Sequence, residues 1–220
     1  METLQELLDC SAARHHHLCP RQVLGVRIGM RVGMELALDL PQKGKRLFTL
    51  VESDGCGMGG VAVATGCWVD RRTLRVLDYG KLAGTFVDRR TGQAVRIHPH
   101  PESRQRSAQY APEAPNRWHC QRRAYQIMPD EELLVIQPVH LTLSLDKIIS
   151  KPGMRVVCDR CGEEISNERE VLRDGLTLCR ACAGDGYYTV PRTILDREYA
   201  SVHCSTGWGH PLPVVEQRSS

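Results

Sequence analysis

The sequence predicts an α+β protein: a mixed or antiparallel sheet core with packed helices, followed by a small C-terminal cysteine-bearing module. Three observations predict it. Helix-like and strand-like segments follow the order α-α-β-α-β-β-β-α-β, which segregates the two types rather than alternating them. The strand-like runs are short and punctuated by Gly, Pro and Asp. Beyond Lys151-Pro152-Gly153 the texture becomes polar and turn-rich, and four of the ten cysteines fall there. The expected division is a core over 1–150, a module over 151–190 and a tail over 191–220.

Taken in order, Leu4, Leu7 and Leu8 have helical spacing and predict a short helix over 2–9. A polar stretch from Ser11 to Pro20 follows. Residues 21–40 form the best helical pattern, with Pro20 at its start and Pro41 as its stop. Arg27, Arg31 and Glu35 make one polar stripe. Gly25, Gly29 and Gly33 make a second stripe at steps of four. Each glycine costs about 1 kcal/mol against alanine in a helix interior, so the stripe implies close approach of a sheet or partner helix.

Leu47–Glu52 reads as a strand, Ser53–Gly60 as a glycine-rich turn and Val61–Cys67 as a short helix. Leu74–Leu77, Gly84–Val87 and Ala94–Ile97 are short strands, the last two joined by an Asp88–Gly92 hairpin loop. His98–Pro115 shows no clear period, and His98 and His100 read as surface. Trp118–Met128 is helical, and Leu133–Leu141 is a strand whose Pro138 suits an edge.

The composition sets limits on function. Hydrophobic residues at 41% and charged residues at 25% suit a folded chain. A net charge of +3 and 5% aromatic residues give little support to a nucleic-acid surface. No apolar run approaches a membrane span. The opening METLQELLDC lacks the apolar core of a secretory signal, so a reducing cytoplasm is expected. There, ten Cys and nine His point to metal or thiol chemistry rather than disulfides.

Cys158-Asp-Arg-Cys161 and Cys179-Arg-Ala-Cys182 are two C-x-x-C pairs separated by seventeen residues. Two thiolates from each turn complete a tetrahedral sulfur shell suited to structural Zn²⁺. Arg160 and Arg180 would offset its charge. The second pair resembles a helix start, which would make the module a treble clef. A closed shell has no open position, so this site folds the module.

His15, His17 and Cys19 alternate. In an extended segment they would point to one side. Cys19 precedes a proline-led helix, whose dipole favours a thiolate. Cys56 lies in the second glycine-rich turn. If the turns face each other, His17, Cys19 and Cys56 give an open three-ligand set, with His15 a fourth ligand or a supporting group. Cys19 and Cys56 are then the candidate catalytic thiols, and a second metal ion is expected in the core. The alternatives are a solvated histidine loop and a buried thiol. Cys67 and Cys120 read as packing, Lys81 as either a cleft cation or a turn residue, and His203, Cys204 and His210 as a tail.

These residues resemble the FmdE family, named for its association with formylmethanofuran dehydrogenase. The likeness runs through His15-x-His17-Leu-Cys19-Pro20, Leu24-Gly-x-Arg-x-Gly29, Glu52-x-x-x-Cys56, Thr65-Gly-Cys67, Leu77-Asp-Tyr-Gly-Lys81 and Arg90-Thr-Gly-x-Ala-Val-Arg96. It continues through Cys158-Asp-Arg-Cys-Gly-Glu163 and Leu178-Cys-Arg-Ala-Cys-Ala-Gly184. The resemblance implies an α+β core with an auxiliary treble-clef zinc finger, a homodimer, and a His/Cys cleft. It also implies an accessory or metal-handling role beside a molybdenum or tungsten oxidoreductase of methanogenesis-related one-carbon metabolism. Two positions depart from the family pattern: Arg21 replaces a glycine, and Gly59 stands where the family has aspartate. A small-molecule enzyme and a nucleic-acid-binding zinc finger are the competing readings.

Overall fold

The computed structural model describes residues 2–149, 151 and 153–189. The chain divides into two compact units, Met1–Ser150 and Lys151–Ser220.

In the first unit, α1 (Leu4–His15) starts from a capping box in which Thr3 and Glu6 exchange hydrogen bonds. It runs six residues beyond the expected end, through the stretch read as a polar loop. The buried Gln22 explains the register, because its amide donates to both the carbonyl and the hydroxyl of Ser11.

Helix α2 (Pro20–Glu35) stops short of the expected residue 40. Ala37 takes a left-handed φ of 48°. The Leu38 N–H then reaches the Gly33 carbonyl and the Ala37 N–H the Met34 carbonyl. This is a Schellman closure made without the glycine that normally signals it.

After β1 (Leu47–Val51), α3 (Cys56–Thr65) begins five residues ahead of the expected start and absorbs the glycine-rich turn. Its glycines serve the approach of α2. A Cβ on Gly60 would lie 2.4 Å from the Gln22 carbonyl oxygen, and one on Gly29 would lie 2.6 Å from the Ala64 Cβ. The glycine stripe of α2 thus meets a helix, although Gly33 faces Leu38 and Leu40 of its own chain segment.

The remaining core elements are β2 (Leu74–Val76), β3 (Gly84–Asp88), β4 (Ala94–Pro99), α4 (Ser103–Tyr110), α5 (Arg117–Ile127), α6 (Asp130–Leu133), β5 (Leu134–Pro138) and α7 (Leu145–Ile148). The sheet order is β2-β1-β3-β4-β5. Only β1 and β2 run parallel, crossing over through α3; the other neighbours are antiparallel. Pro138 ends the edge strand β5, where a missing N–H is tolerated. Helix α4 occupies the stretch without a clear period. Its residues are almost all polar, and only Ser103 and Ser107 are buried.

In the second unit, β6 (Arg155–Val157) pairs with β7 (Glu164–Ser166), and β8 (Val171–Arg173) pairs with β9 (Leu176–Leu178). No helix opens at Cys179 among the described residues: 180–184 form turns. The helix on which a treble clef was expected is therefore replaced by two hairpins and two cysteine turns. The buried hydrophobic cluster here is only Cys158, Ile165, Leu178 and Ala183, which is too small a core to hold without a staple.

Candidate metal centre and thiol cleft

Cys158, Cys161, Cys179 and Cys182 come together with all four sulfurs within 4.8 Å of one another. The turns also present N–H groups to sulfur: the Cys179 amide lies 3.2 Å from Cys158 Sγ, and the Cys182 amide 3.4 Å from Cys179 Sγ. Such donors stabilise thiolate charge. Amide donors, chiefly that of Cys179, pull the Cys158 thiol down to about 6. Burial and the neighbouring thiols push Cys182 up to about 12. Four sulfurs so close cannot all ionise without a cation, and a tetrahedral S₄ set fits Zn²⁺. Arg160 donates to the Cys182 carbonyl at 2.7 Å, while Arg180 pairs with Asp185. The two arginines thus brace the module by particular bonds, beyond offsetting charge.

The core site differs from its expectation. His15 ends α1, and His16 turns left-handed at φ 59°. The segment is therefore not extended, and His15, His17 and Cys19 do not share one side. His17 is exposed, with Nδ1 2.8 Å from the His15 carbonyl. His15 instead lays its ring over α3: a Cβ on Gly59 would lie 2.7 Å from His15 Nε2.

Cys19 caps α2, its amide bonded to Gln22 Oε1 at 2.7 Å. Cys56 is the first residue of α3, after Gly55 at φ 81°. Their thiols interact. Burial first, and then Cys19, push the Cys56 thiol up, outweighing the opposing pull of Arg21. Two helix N-termini therefore converge on a thiol pair. Among the described residues, however, only the four module cysteines form a metal-sized group of three or more Cys, His, Asp or Glu. The expected four-residue core set is thus met by its two cysteines alone, with His15 one helical turn from Cys56.

Cys19 lines a cavity of about 500 Å³ with Arg21, Asp54, Asp78, Trp118 and Tyr125 among its walls. A second cavity of about 480 Å³ is lined by Lys81, Arg96, His98 and His100. Leu24, Leu82, Arg104 and Tyr125 line both. The histidines read as surface are wall residues, and Arg104 carries no sequence signal because its helix has no apolar period.

Cys67 is fully buried, accepting from Gln42 Nε2 at 3.1 Å, and burial pushes its thiol up. Cys120 lies 3.4 Å from the Ser107 carbonyl, at the α4–α5 packing. Both are packing residues. His203, Cys204 and His210 lie outside the described residues.

Residues 14–135 match the family model described as "FmdE, Molybdenum formylmethanofuran dehydrogenase operon". Residues 154–188 match that of the prokaryotic dksA/traR C4-type zinc finger. A "Probable S-adenosyl-L-methionine-binding protein" of Archaeoglobus fulgidus is 28% identical over 87% of the chain. The chain spans 56% of that relative's length. The crystal structure of an FmdE-like protein of tungsten formylmethanofuran dehydrogenase, from Syntrophus aciditrophicus, shares the fold. It has a TM-score of 0.53 and 23% identity, covering 86% of this chain and 96% of that one.

Proposed function

The chain belongs to the FmdE family of formylmethanofuran dehydrogenase-associated proteins, and on that premise we propose that it is a metal-handling accessory protein with two sites of different purpose. The Cys158/Cys161/Cys179/Cys182 set holds a structural zinc ion. The Cys19/Cys56 pair binds an exchangeable soft ion, with His15 as the third ligand. The observation that carries this reading is the convergence of two thiols from separate helix N-termini beside an open cavity. Thiolate and imidazole donors favour zinc and other soft or borderline ions, and an open coordination position is what exchange requires. A bound ion would supply Lewis acidity or be passed to a partner oxidoreductase. A homodimer and a cytoplasmic setting complete the proposal.

Elemental analysis of anaerobically purified, zinc-loaded protein tests it. Two ions per chain are expected in the wild type. One is expected in the Cys19→Ser/Cys56→Ser variant and one in the Cys158→Ser/Cys161→Ser variant. A wild type that holds only one ion defeats the core-metal reading.

A second reading, an enzyme acting on a small molecule in the cleft, is favoured by the 500 Å³ cavity with Asp54 and Asp78 on its wall beside Cys19. The name of the Archaeoglobus relative points the same way, toward a small organic ligand. Saturable binding of S-adenosyl-L-methionine that is lost when the cavity is filled by Gly57→Leu would favour it over the accessory role.

A further inference from the structure

The second cavity has a charge balance that the thiol pair does not explain. Its wall carries Lys81, Arg96 and Arg104 together with His98 and His100, and no carboxylate among the described residues lines it. The nearby carboxylate, Glu52, is already committed. Arg96 grips it through a two-point fork, Nε to Oε1 at 2.6 Å and Nη2 to Oε2 at 2.8 Å. That fork pulls the Glu52 carboxyl below its ordinary value.

The surplus therefore rests on Lys81 and Arg104, both exposed and neither in an ion pair among the described residues. Asp54 and Asp78 line the adjoining cavity, and Asp78 accepts the Gly80 N–H at 2.9 Å. Lys81 is held in place by its backbone, whose N–H bonds the Glu52 carbonyl at 3.1 Å.

The histidines add a donor. His100 Nδ1 accepts the Glu102 N–H at 3.2 Å, so the neutral ring carries its proton on Nε2. His98 Nδ1 lies 2.9 Å from the Pro99 carbonyl and must donate to it, leaving Nε2 as the basic nitrogen. Leu24, Ala83 and the buried Tyr125 supply an apolar floor. Cationic donors around an apolar pocket match a small organic molecule that bears an oxyanion at one end.

We propose that Lys81 and Arg104 form an oxyanion-binding subsite that takes the carboxylate or phosphate of a small organic ligand. Because Arg104 lines both cavities, a ligand anchored there extends its remaining part toward the Cys19 cavity. The subsite uses neither thiol, so it stands or falls separately from the core-metal reading.

Titration calorimetry of the full chain at low ionic strength tests the proposal, with inorganic phosphate and succinate as separate probes. Saturable binding of at least one probe is expected, and the tighter one identifies the oxyanion. Lys81→Gln and Arg104→Gln should each weaken binding about tenfold or more, the scale of one lost charge-assisted hydrogen bond. Arg89→Gln, on the turn at the far end of the β3–β4 hairpin, should leave it unchanged. The Cys19→Ser/Cys56→Ser variant should bind as the wild type does, whatever its metal content. Unchanged affinity in either cavity variant, an equal loss in Arg89→Gln, or no saturable binding of either probe overturns the subsite.

Discussion

A Cβ placed on Gly25 would stand 2.1 Å from the carbonyl oxygen of Gly57. The two helices that carry Cys19 and Cys56 therefore touch backbone to backbone at their first turns. This contact, more than any side-chain packing, sets the separation of the two thiols.

The same substitution should then have opposite consequences at two glycines. Gly25→Ala drives a methyl group into backbone that cannot rotate away, with Gly57 C and Val61 N also at 3.0 Å. A loss of at least about 2 kcal/mol is expected, as for overpacked cores. At Gly59 the added methyl meets only the tip of the His15 ring. That ring can swing aside, and the helix gains up to about 1 kcal/mol in propensity. Urea unfolding of the two variants checks the contrast. Equal destabilisation would refute the backbone-contact account.

Arg27 shows where the sequence is misleading. Its place in a polar stripe with Arg31 and Glu35 suggests a solvated helix face, and Arg31 and Glu35 do pair at 2.7 Å. Arg27 instead satisfies the end of α5, donating to the Tyr125 carbonyl at 2.8 Å, the Met128 carbonyl at 2.7 Å and Asp130 at 2.7 Å. Its side chain is only 12% exposed. Arg27→Met should cost about 3 kcal/mol, because two carbonyls and a carboxylate lose their donor together. Thermal unfolding is the check, and a change within about 0.5 kcal/mol, as is usual for a surface site, would mean that water replaces the guanidinium.

How much of the structure is legible in the sequence depends on how local the governing interaction is. The C-x-x-C pairs are legible because each chelating turn is defined by four consecutive residues. The glycine stripe of α2 announces a close neighbour, since glycine in a helix interior has little other use. It does not show that the neighbour is the glycine-rich turn itself, folded as helix α3. The His15–Cys19 alternation misleads because Gln22 and Ser11, eleven residues apart, bind one another and extend α1 into that segment. Arg104 is invisible as a cavity residue because α4 has almost no apolar face to produce a period.

Removing the metal from the cysteine module should unfold the module and leave the core intact. Four buried hydrophobic residues are too few to hold it, whereas the core cluster spans α1 through β5. Structural zinc binding and folding are one equilibrium in such modules. Hydrogen exchange after treatment with a strong chelator should show lost protection over 154–188 and unchanged protection in α2, α3 and β1. Retained protection in the module would mean that its hairpins fold without the ion.

Asp88 should give the core an acid-sensitive component. Its carboxyl is buried at the start of the β3–β4 turn and bonds Arg46 at 2.6 Å and 3.0 Å, the Arg90 N–H at 2.9 Å and the Thr91 hydroxyl at 3.1 Å. Arg46 is the largest of the causes that hold its pKa well below the ordinary carboxylate value. A depressed folded-state pKa means that the unfolded chain takes up the proton first as pH falls. The stabilisation is therefore complete above the unfolded carboxylate value and declines as pH drops below about 4. Asp88→Asn should cost about 1–2 kcal/mol at pH 7, towards the lower range for charged hydrogen bonds because the Arg46 side chain is 37% exposed. That gap should narrow steadily between about pH 4 and the acid limit of folding, since the wild type loses there what the variant never had. Urea unfolding of both proteins at pH 7 and at about pH 3 measures it. A gap that stays constant with pH would show that Asp88 contributes through packing and turn geometry rather than through its charge.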